Sequence, residues 1–556
     1  MDTTRKATPD SNRSTHNTSS SFITLNRRSN TMKQTSIYRR GMSALVALVL
    51  MIGLAMGQDL VIVNGSTITN TGTIKVKGNI TNSGVLSATT IGGTVQLKAN
   101  AAQAIGTAAS TAINFTNLVI PASAGATKTF NVASTIANSI DIAASANASS
   151  SYDLNGKTLT LQSSIANTGG ATAPYVFSGA SSTVDYAGGA QNVWGSSGFT
   201  YYNLTVSNAG NKTMVGDVTA SNNITATAGA LLINGNTLTA GGTYNISGGS
   251  VTGGATSNII LNGSGDLATF VVTNGLNNLT LNRAANTVTL SSGLTLAGAA
   301  TLTAGTLHVD AGQTLTLNGS GSVVSGAGSL TSNATGTVDY AQNSQNIFAA
   351  NYGNLSLTLG DKTFPNSTVG IAGTYTVGAG THGYGTGTVD FNGASQNIPS
   401  VTTFYNLTTS NSGTKTAQGN LGLTNNLVNG SGITLTMGTN TLTLGGGTTT
   451  NTGGTIQFAG AGNGLAINSG TIEYNGTIAQ AITAGTYSTL ALSTTNVALT
   501  NRTITGVTVT TGASLTVPTW ISLQLDATAQ LNLSDVAATL TVNGDLQNAG
   551  TIDVGL

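Results

Sequence analysis

Residues able to carry out acid–base chemistry are few in this sequence and lie far apart. The chain of 556 residues has 17 Asp and Glu, 3 His and no Cys. Polysaccharide-cleaving enzymes need paired carboxylates or a basic residue beside them, and the region from residue 58 onward has no D-x-D or E-x-x-D pair. The missing cysteine excludes a thiolate metal site and a cysteine nucleophile. We therefore predict no enzymatic activity, no catalytic, cofactor-binding or metal-ligating residue, and no cofactor.

The three histidines are not grouped. His16 lies in the N-terminal tail, and His308 and His382 are isolated in the body of the chain. A histidine acts as a base or a metal ligand only when other groups orient it. We interpret His308 and His382 as surface or corner residues with satisfied hydrogen bonds.

A recurrent phrase contains most of the remaining polar residues that could be functional. Its clearest copy is TVDFNGASQNIPSVTTFYNLTTSNSGTKT at 388–416, and related copies begin at Thr94, Thr183, Thr337 and Thr471. Each copy has a short alternating strand, a turn that ends in Gln, a second strand, and a turn that ends in Lys-Thr or Arg-Thr. A recurrence of this kind predicts a repeat architecture.

An acidic residue precedes an aromatic residue in four of the five copies. These pairs are Asp185–Tyr186, Asp339–Tyr340, Asp390–Phe391 and Glu473–Tyr474. Because Gln96 replaces the acid in the first copy, a turn-capping or ladder role is favoured over chemistry. The aromatics have two open interpretations: they fill a corner of the fold, or they line a face on which carbohydrate stacks. We interpret Lys212, Lys362 and Lys415, near the end of the phrase, as solvated turn residues.

The composition predicts β structure throughout. Charged residues make up 6% of the chain, against roughly 25% in average globular proteins. Abundant Val, Ile and Thr alternate with polar residues in runs of four to six that end in Asn-Gly, Thr-Gly or Ser-Gly. Eight of the 18 Lys and Arg precede residue 58, so the rest of the chain has no basic patch for nucleic acid.

The spacing of the phrase separates two β architectures. Its copies are unevenly spaced, and the shortest interval runs from Thr337 to Thr388. This interval is too short for an immunoglobulin-like sandwich of about 100 residues. It accommodates two turns of a solenoid at about 25 residues each. We predict an all-β, right-handed parallel β-helix (β-solenoid) with short strands, and tandem immunoglobulin-like β-sandwiches are the alternative.

The N-terminal region is typical of an exported protein. Residues 1–31 are polar and are predicted to be disordered or a mis-assigned extension, with translation starting at Met1 or Met32. Residues 32–57 have a basic segment, an apolar run at 44–56 and small residues before Gln58, as in a secretory signal peptide. The apolar run is shorter than the about 20 residues of a membrane span, although an uncleaved anchor is the alternative. We therefore expect no membrane span after signal cleavage.

Residues 58–556 form the predicted solenoid region. The C-terminal sequence TLTVNGDLQNAGTIDVGL has the same alternation of apolar and polar residues as LVIVNGSTITNTGTIKV at the start of this region. Solenoid ends need a polar cap against edge pairing, and none is recognisable here. Two explanations stay open: the chain is a fragment truncated at its C-terminus, or an irregular cap ends it.

The segments YYNLTVSNAGNKT at 201–213 and FYNLTTSNSGTKT at 404–416 resemble the repeats of large exported bacterial surface proteins. In its Gly/Thr/Asn-rich repeat pattern, the whole region 58–556 resembles filamentous-haemagglutinin-like adhesins and autotransporter passengers. This resemblance implies secretion, a right-handed parallel β-helix, and a role in adhesion or in the cell envelope. It suggests a carbohydrate or another cell-surface ligand as the partner.

Three functions follow from these observations. The favoured one is a secreted or cell-surface structural or adhesive β-solenoid without a catalytic site. The first alternative is a polysaccharide-binding or polysaccharide-cleaving β-helix protein, which would need acids aligned on one face. The second is an ice- or crystal-binding solenoid, which would need flat ranks of Thr. The ice- or crystal-binding alternative is suggested by the pairs Thr237/Thr239, Thr301/Thr303, Thr314/Thr316, Thr434/Thr436 and Thr441/Thr443.

Overall fold

A computed structural model of the chain describes most residues between 58 and 438 and a set of strands on either side. The described ranges are 23–27, 58–62, 68–82, 89–97, 102–107, 110–120, 127–142, 152–166, 176–196 and 199–438, followed by 440, 442–444, 448–451, 454–458 and separate strands up to 554. Of the N-terminal predictions, the signal peptide at 32–57 lies outside the described residues. The described residues divide into two compact units, Met1–Val218 and Thr219–Leu556.

The first unit consists of short strands. They are Ile23–Arg27, Gln58–Ile62, Thr73–Val76, Ile80–Asn82, Thr89–Leu97, Gln103–Ile105, Ile113–Ile120, Lys128–Phe130, Ser134–Ile142, Tyr152–Asp153, Thr158–Leu161, Ile165–Ala166, Val176–Ser178, Thr183–Tyr186, Gln191–Val193, Thr200–Tyr201, Asn203–Val206 and Asn211–Met214. Ile23–Arg27, within the predicted extension, pairs antiparallel with Gln58–Ile62.

The second unit has the same construction, and the strand Val218–Ala220 contains the boundary. Up to residue 438 its strands are Ile224–Ala226, Ala230–Leu232, Thr237–Ala240, Tyr244–Ile246, Ser250–Thr252, Asn258–Asn262, Leu267–Phe270, Asn278–Leu290, Leu294–Leu296, Ala300–Val309, Thr314–Leu317, Val324–Ser325, Ser329–Ser332, Thr337–Tyr340, Gln345–Asn346, Asn351–Tyr352, Asn354–Leu359, Lys362–Thr363, Thr368–Ile371, Tyr375–Ala379, His382–Gly383, Thr388–Phe391, Gln396–Ile398, Val401–Phe404, Asn406–Thr409, Thr414–Ala417, Leu421–Leu423, Leu427–Asn429 and Thr434–Gly438.

Further strands follow to the end of the described residues. They are Leu442–Leu444, Thr448–Asn451, Thr455–Phe458, Leu465–Ile467, Thr471–Tyr474, Gly485–Tyr487, Thr489–Leu492, Arg502–Ile504, Val507–Val509, Ser514–Val517, Ser522–Leu525, Gln530–Leu533, Thr539–Val542, Asp545–Asn548 and Thr551–Val554.

Parallel pairing between strands one coil apart defines both units as β-solenoids, where a coil is one full turn of the chain. In the first unit Gln103 pairs in parallel with Lys128 of the next coil. In the second unit Thr368 pairs in the same way with Thr388, and Gln345 with Lys362. The prediction of a parallel β-solenoid is confirmed. Tandem sandwiches, built from antiparallel sheets, are wrong.

The alternation of the sequence determines which side chains face the interior. In Thr183–Tyr186 the second and fourth residues are buried and the first and third are half-buried, as period-2 geometry requires. Coil stacking converts these positions into continuous apolar columns. The turns use Asn-Gly where the backbone must be left-handed, as at Asn155 (φ 46°) and Gly156 (φ 72°).

Asn and Asp side chains connect successive coils along the outside of each unit. In the second unit Asn343 Oδ1 accepts the N–H of Asp361 (2.8 Å), and Asp361 Oδ1 accepts the N–H of Thr381 (2.7 Å). In the first unit Asp59 Oδ1 accepts the N–H of Asn79 (2.7 Å), and Asn79 continues the series to the next coil. Asn and Asp side chains therefore form a hydrogen-bonded ladder between successive coils.

Candidate functional site

Each described copy of the recurrent phrase folds as two stacked coils, which we call a cassette. The first coil holds the Gln, preceded by the acid–aromatic pair or, in the copy from Thr94, by Gln96 and Leu97. The second coil holds the aromatic-x-Asn-Leu strand and the Lys. Their strands pair in register, with Val184 beside Leu204 and Val389 beside Leu407. The four cassettes are A (94–129), B (183–213), C (337–363) and D (388–416). The side chains of the fifth copy, from Thr471, lie outside the described residues.

The aromatic residues of the two coils meet in the interior. In cassette B the hydroxyl oxygens of Tyr186 and Tyr201 are 2.8 Å apart. In cassette C those of Tyr340 and Tyr352 are 2.9 Å apart. All four side chains are fully buried. Burial raises the pKa of Tyr186 and of Tyr340 to about 12, so the hydroxyls stay protonated.

The hydroxyl pair forms hydrogen bonds with both the N–H and the carbonyl of one residue at the corner of the coil. In cassette B the N–H of Trp194 donates to Tyr186 Oη (3.2 Å), and Tyr201 donates to the carbonyl of Trp194 (2.6 Å). In cassette C, Phe348 makes the same two bonds, at 2.9 and 2.6 Å. The tyrosines therefore replace backbone partners that this corner lacks.

Cassettes A and D omit both hydroxyls together. Cassette D has Phe391 and Phe404, with ring centroids 6.4 Å apart and nearly perpendicular planes. The corner position equivalent to Trp194 is Pro399 in cassette D, which has no N–H to satisfy. In cassette A the equivalent Gly106 N–H donates to the carbonyl of Ile80 (2.7 Å). The paired tyrosines are therefore present in the cassettes whose corner N–H has no backbone acceptor, and absent from the others.

The buried rings decide between the two interpretations of the aromatics. Tyr186, Tyr340 and Phe391 are 0% exposed. A carbohydrate-stacking face built from these three residues is wrong, because period-2 alternation directs them inward. The corner-filling interpretation is confirmed for them, while Tyr474 lies outside the described side chains.

The recurrent acids form hydrogen bonds from one coil to the next. Asp185 Oδ1 accepts from Ser207 Oγ (2.7 Å) in cassette B. Asp390 accepts from Ser410 in cassette D (2.8 and 3.0 Å), and Asp339 from Thr358 in cassette C. These contacts support the predicted ladder role. In cassette A, where Gln96 replaces the acid, the position of the hydroxyl residue is occupied by Pro121 in the sequence.

Partial burial changes the pKa of two of these carboxyl groups. Burial raises the pKa of Asp185 and of Asp390. The Ser207 and Ser410 hydroxyls oppose the rise, as do the nearby lysine ammonium groups. A carboxyl group held in this way by a serine serves as an acceptor between coils.

The recurrent Gln holds the corner of the first coil to the coil before it. Gln396 Nε2 donates to the carbonyls of Ile371 and Gly373 (both 2.8 Å), and its Oε1 accepts the N–H of Gly393 (2.7 Å). Gln345 makes the equivalent bonds in cassette C. Gln191 and Gln103 make corresponding bonds to the preceding coil in cassettes B and A.

The recurrent lysines are buried, so the prediction of solvated turn residues is wrong. Lys212 and Lys415 are 0% exposed and Lys362 is 2% exposed. Each lies at an inward position of its strand, directly over the Gln of the coil before: Lys212 over Gln191, Lys362 over Gln345 and Lys415 over Gln396. Cassette A repeats the pair with Gln103 and Lys128.

The ammonium group binds backbone carbonyls at the corner. Lys415 Nζ donates to Gly393 and Ala394 of the preceding coil (2.6 Å to Ala394) and to Ser412 of its own coil (2.9 Å). Lys362 Nζ donates to Gln342 (2.8 Å), Gly360 (3.1 Å) and Leu359. Burial lowers the pKa of both lysines, and the acids nearby oppose this shift.

His382 lies over Lys362 in the next coil. Its Nε2 is 3.4 Å from the carbonyl of Gly378, and its buried Nδ1 has no hydrogen-bond partner. Burial lowers the pKa of His382, and Lys362 lowers it further, while Asp361 and the Gly378 carbonyl raise it. His308 behaves as predicted, because its Nδ1 is 2.9 Å from Thr331 Oγ1. Neither histidine faces another histidine or a pair of acids within the described part of the chain.

Arg283 is an inter-coil residue that sequence reasoning missed. It is 1% exposed, and its guanidinium donates five hydrogen bonds of 2.7–3.3 Å to the carbonyls of Gly242, Asn262, Ser264 and Gly265. The available signal was a single Arg within the alternating strand NLTLNRAANTVTL. Its planar fork can bind several carbonyls at once.

The paired threonines do not form long ranks in the described coils. Thr237 and Thr239 lie beside Asn258 and Ile260. The best-aligned pairs, Thr414/Thr416 and Thr434/Thr436, are followed by Thr455 and Gln457 in the next coil. Thr441 lies outside the described residues.

No protein-family model, curated protein or solved structure matches this chain. Among the described residues, no group of three or more His, Cys, Asp or Glu could hold a metal ion. A search of the same residues also finds no helix long and apolar enough to cross a membrane.

Proposed function

We propose that the protein is a secreted or cell-surface β-solenoid with a structural or adhesive role and without a catalytic site. The observation that carries this proposal is the use made of the recurrent polar residues. In cassettes B, C and D, the acid, the Gln and the Lys all form hydrogen bonds within or between coils. Residues committed in this way stabilise a repeat and are not presented to a substrate.

The outward positions of the coils support an adhesive role. Thr414 and Thr434 lie side by side at uncharged, half-buried outward positions of successive coils. A row of weak hydrogen-bonding groups can bind an extended partner through many simultaneous contacts. The signal-peptide pattern at 32–57 would place this surface outside the cell.

One feature favours the polysaccharide-binding alternative. An open recess of about 350 Å³ in the second unit is lined by Asn346, Thr363, Pro365, Asn366 and Gly385, together with Ile347 and Phe364. Amide and hydroxyl groups beside apolar side chains are the kind of lining in which a small polar ligand such as a sugar binds. The recess has no pair of carboxylates among its lining residues, so it favours binding over cleavage.

Export and surface binding provide the test. Cells expressing the full chain are fractionated, and the exported protein is sequenced from its N-terminus. We expect a start at Gln58 and retention of the protein on cell surfaces or polysaccharide-coated beads. Retention inside the cell would contradict the proposed location, and release of reducing ends from a polysaccharide would contradict the non-catalytic role.

A further inference from the structure

The apolar columns of a solenoid do not by themselves specify how its coils align. Side-chain direction has a period of two, so a slip of two residues keeps every buried side chain on the inside. The strands of cassette D and its neighbours show this degeneracy, because Leu407, Leu421 and Leu435 all occupy inward positions between Thr, Gly or Asn residues. Another feature must select the register.

The corner pairs Gln396–Lys415 and Gln345–Lys362 supply contacts that a slip would break. Gln396 accepts the N–H of Gly393 and so fixes the corner, where Lys415 binds the carbonyls of Gly393 and Ala394. A slip of two residues would move the buried ammonium group away from these acceptors. An unpaired buried charge is costly, whereas a slipped Leu is not.

We propose that the buried Gln–Lys corners of cassettes C and D set the register between the two coils of each cassette. The inference concerns folding specificity and does not depend on the proposed function. Buried polar contacts that select one arrangement among similar apolar ones are known from coiled coils. Gln and Lys are aligned in the same way at Gln103–Lys128 and at Gln191–Lys212, although the hydrogen bonds of Lys212 Nζ go to carbonyls of its own coil.

Disulfide trapping can measure the register, because the chain has no cysteine of its own. Asn397 and Thr416 are in-register partners on the outward side of cassette D. The double variant Asn397→Cys/Thr416→Cys reports the native register, and Asn397→Cys/Thr414→Cys reports a slip of two residues. In the otherwise native full chain, we expect the first pair to cross-link at least about tenfold more efficiently.

The decisive variant is Lys415→Met, which keeps most of the length of the side chain and removes its charge. We expect unchanged β-type circular dichroism and a fall of at least about threefold in the ratio of native to slipped cross-links. The matched control is Leu435→Met, in the position directly over Lys415. This volume-conserving change should leave the ratio unaltered.

Cassette C provides an independent repeat of the test. Lys362→Met is combined with Asn346→Cys/Thr363→Cys for the native register and Asn346→Cys/Asp361→Cys for the slip. An unchanged cross-linking ratio in folded protein would overturn the proposal. Loss of folding in both cassettes would also overturn it, because the corner would then supply stability and not register.

Discussion

The hydroxyl oxygens of Tyr340 and Tyr352 lie 2.9 Å apart in the interior of cassette C. Together they bind the N–H and the carbonyl of Phe348. In cassette D both tyrosines become phenylalanine where Pro399 supplies no N–H. The two hydroxyls therefore form a single structural unit, and they are present together where the corner N–H needs an acceptor.

This unit predicts non-additive effects of mutation. Tyr340→Phe leaves the Phe348 N–H without its acceptor, and Tyr352→Phe leaves the Phe348 carbonyl without its donor. Each change should reduce the free energy of unfolding by about 1–3 kcal/mol. The double variant should lose less than the sum of the two, as measured by chemical denaturation.

A third substitution separates this explanation from simple loss of packing. Phe348→Pro should cost less in the Tyr340→Phe/Tyr352→Phe background than in the native chain, because it removes a donor that has already lost its acceptor. An equal cost in both backgrounds would show that the hydroxyls do not serve the backbone of residue 348.

Arg283 should be among the residues most sensitive to truncation. Replacement by Met removes the Arg283 donors from four backbone carbonyls in a buried corner. We expect a loss of about 3–5 kcal/mol in the free energy of unfolding, detected as faster hydrogen exchange in the adjoining coils. Lys157→Met, at an exposed turn, is the control and should change stability by less than about 0.5 kcal/mol.

The stability of the coil that follows cassette C should decrease in mild acid. The pKa of His382 is lowered from its ordinary 6.5 mainly by burial, to which Lys362 adds, against the opposing effects of the Gly378 carbonyl and of Asp361. The unfolded chain therefore binds the proton at a higher pH than the folded chain does. The free energy of unfolding must then fall as the pH drops below about 6.5.

Hydrogen exchange at pH 7.5 and 5.5, corrected for the intrinsic rates, measures this effect. His382→Leu gives the matched control, because Leu435 occupies the equivalent position over Lys415. The variant should lose the acid sensitivity. Equal protection of the native coil at both pH values would contradict the prediction.

The acids of the phrase should tolerate neutral replacement. Asp390→Asn keeps an oxygen that can accept from Ser410 and removes a partly buried charge whose pKa burial raises. We expect the free energy of unfolding to change by less than about 1 kcal/mol. Ser410→Ala removes the donor and should cost more in the native chain, where it leaves a partly buried carboxylate without this donor, than in the Asp390→Asn background, where it leaves a neutral amide. Strong additivity in denaturation would mean that the two groups act separately.

The fold was predictable because its determinants are local. Alternating Val, Leu and Thr with Asn-Gly turns specifies short strands, and the short interval between the copies at Thr337 and Thr388 requires coils smaller than a sandwich domain. The ladder role of Asp185 was also accessible, since Gln96 shows that the position does not require an acid.

The inward lysines were not predicted, because a Gly-x-Lys-Thr turn suggests solvent exposure. The informative feature was the alternation around Lys415: Thr414 and Thr416 are half-buried and face outward, so the residue between them must face inward. The contact of Lys415 with Gln396, which belongs to the coil before, depends on coil length and could not be read from local pattern. The pairing of Tyr186 with Tyr201 was missed for the same reason, because the two residues lie on different coils and coil length brings them together.

The division of each cassette between two coils has a consequence for how such a chain changes in length over generations. Recombination that inserts or deletes coils between Gln396 and Lys415 separates a glutamine from the lysine above it. The same event between Lys362 and Thr388 leaves every such pair intact. Duplications that survive should therefore begin and end outside the cassettes, and the uneven distances between copies are the expected record of that history.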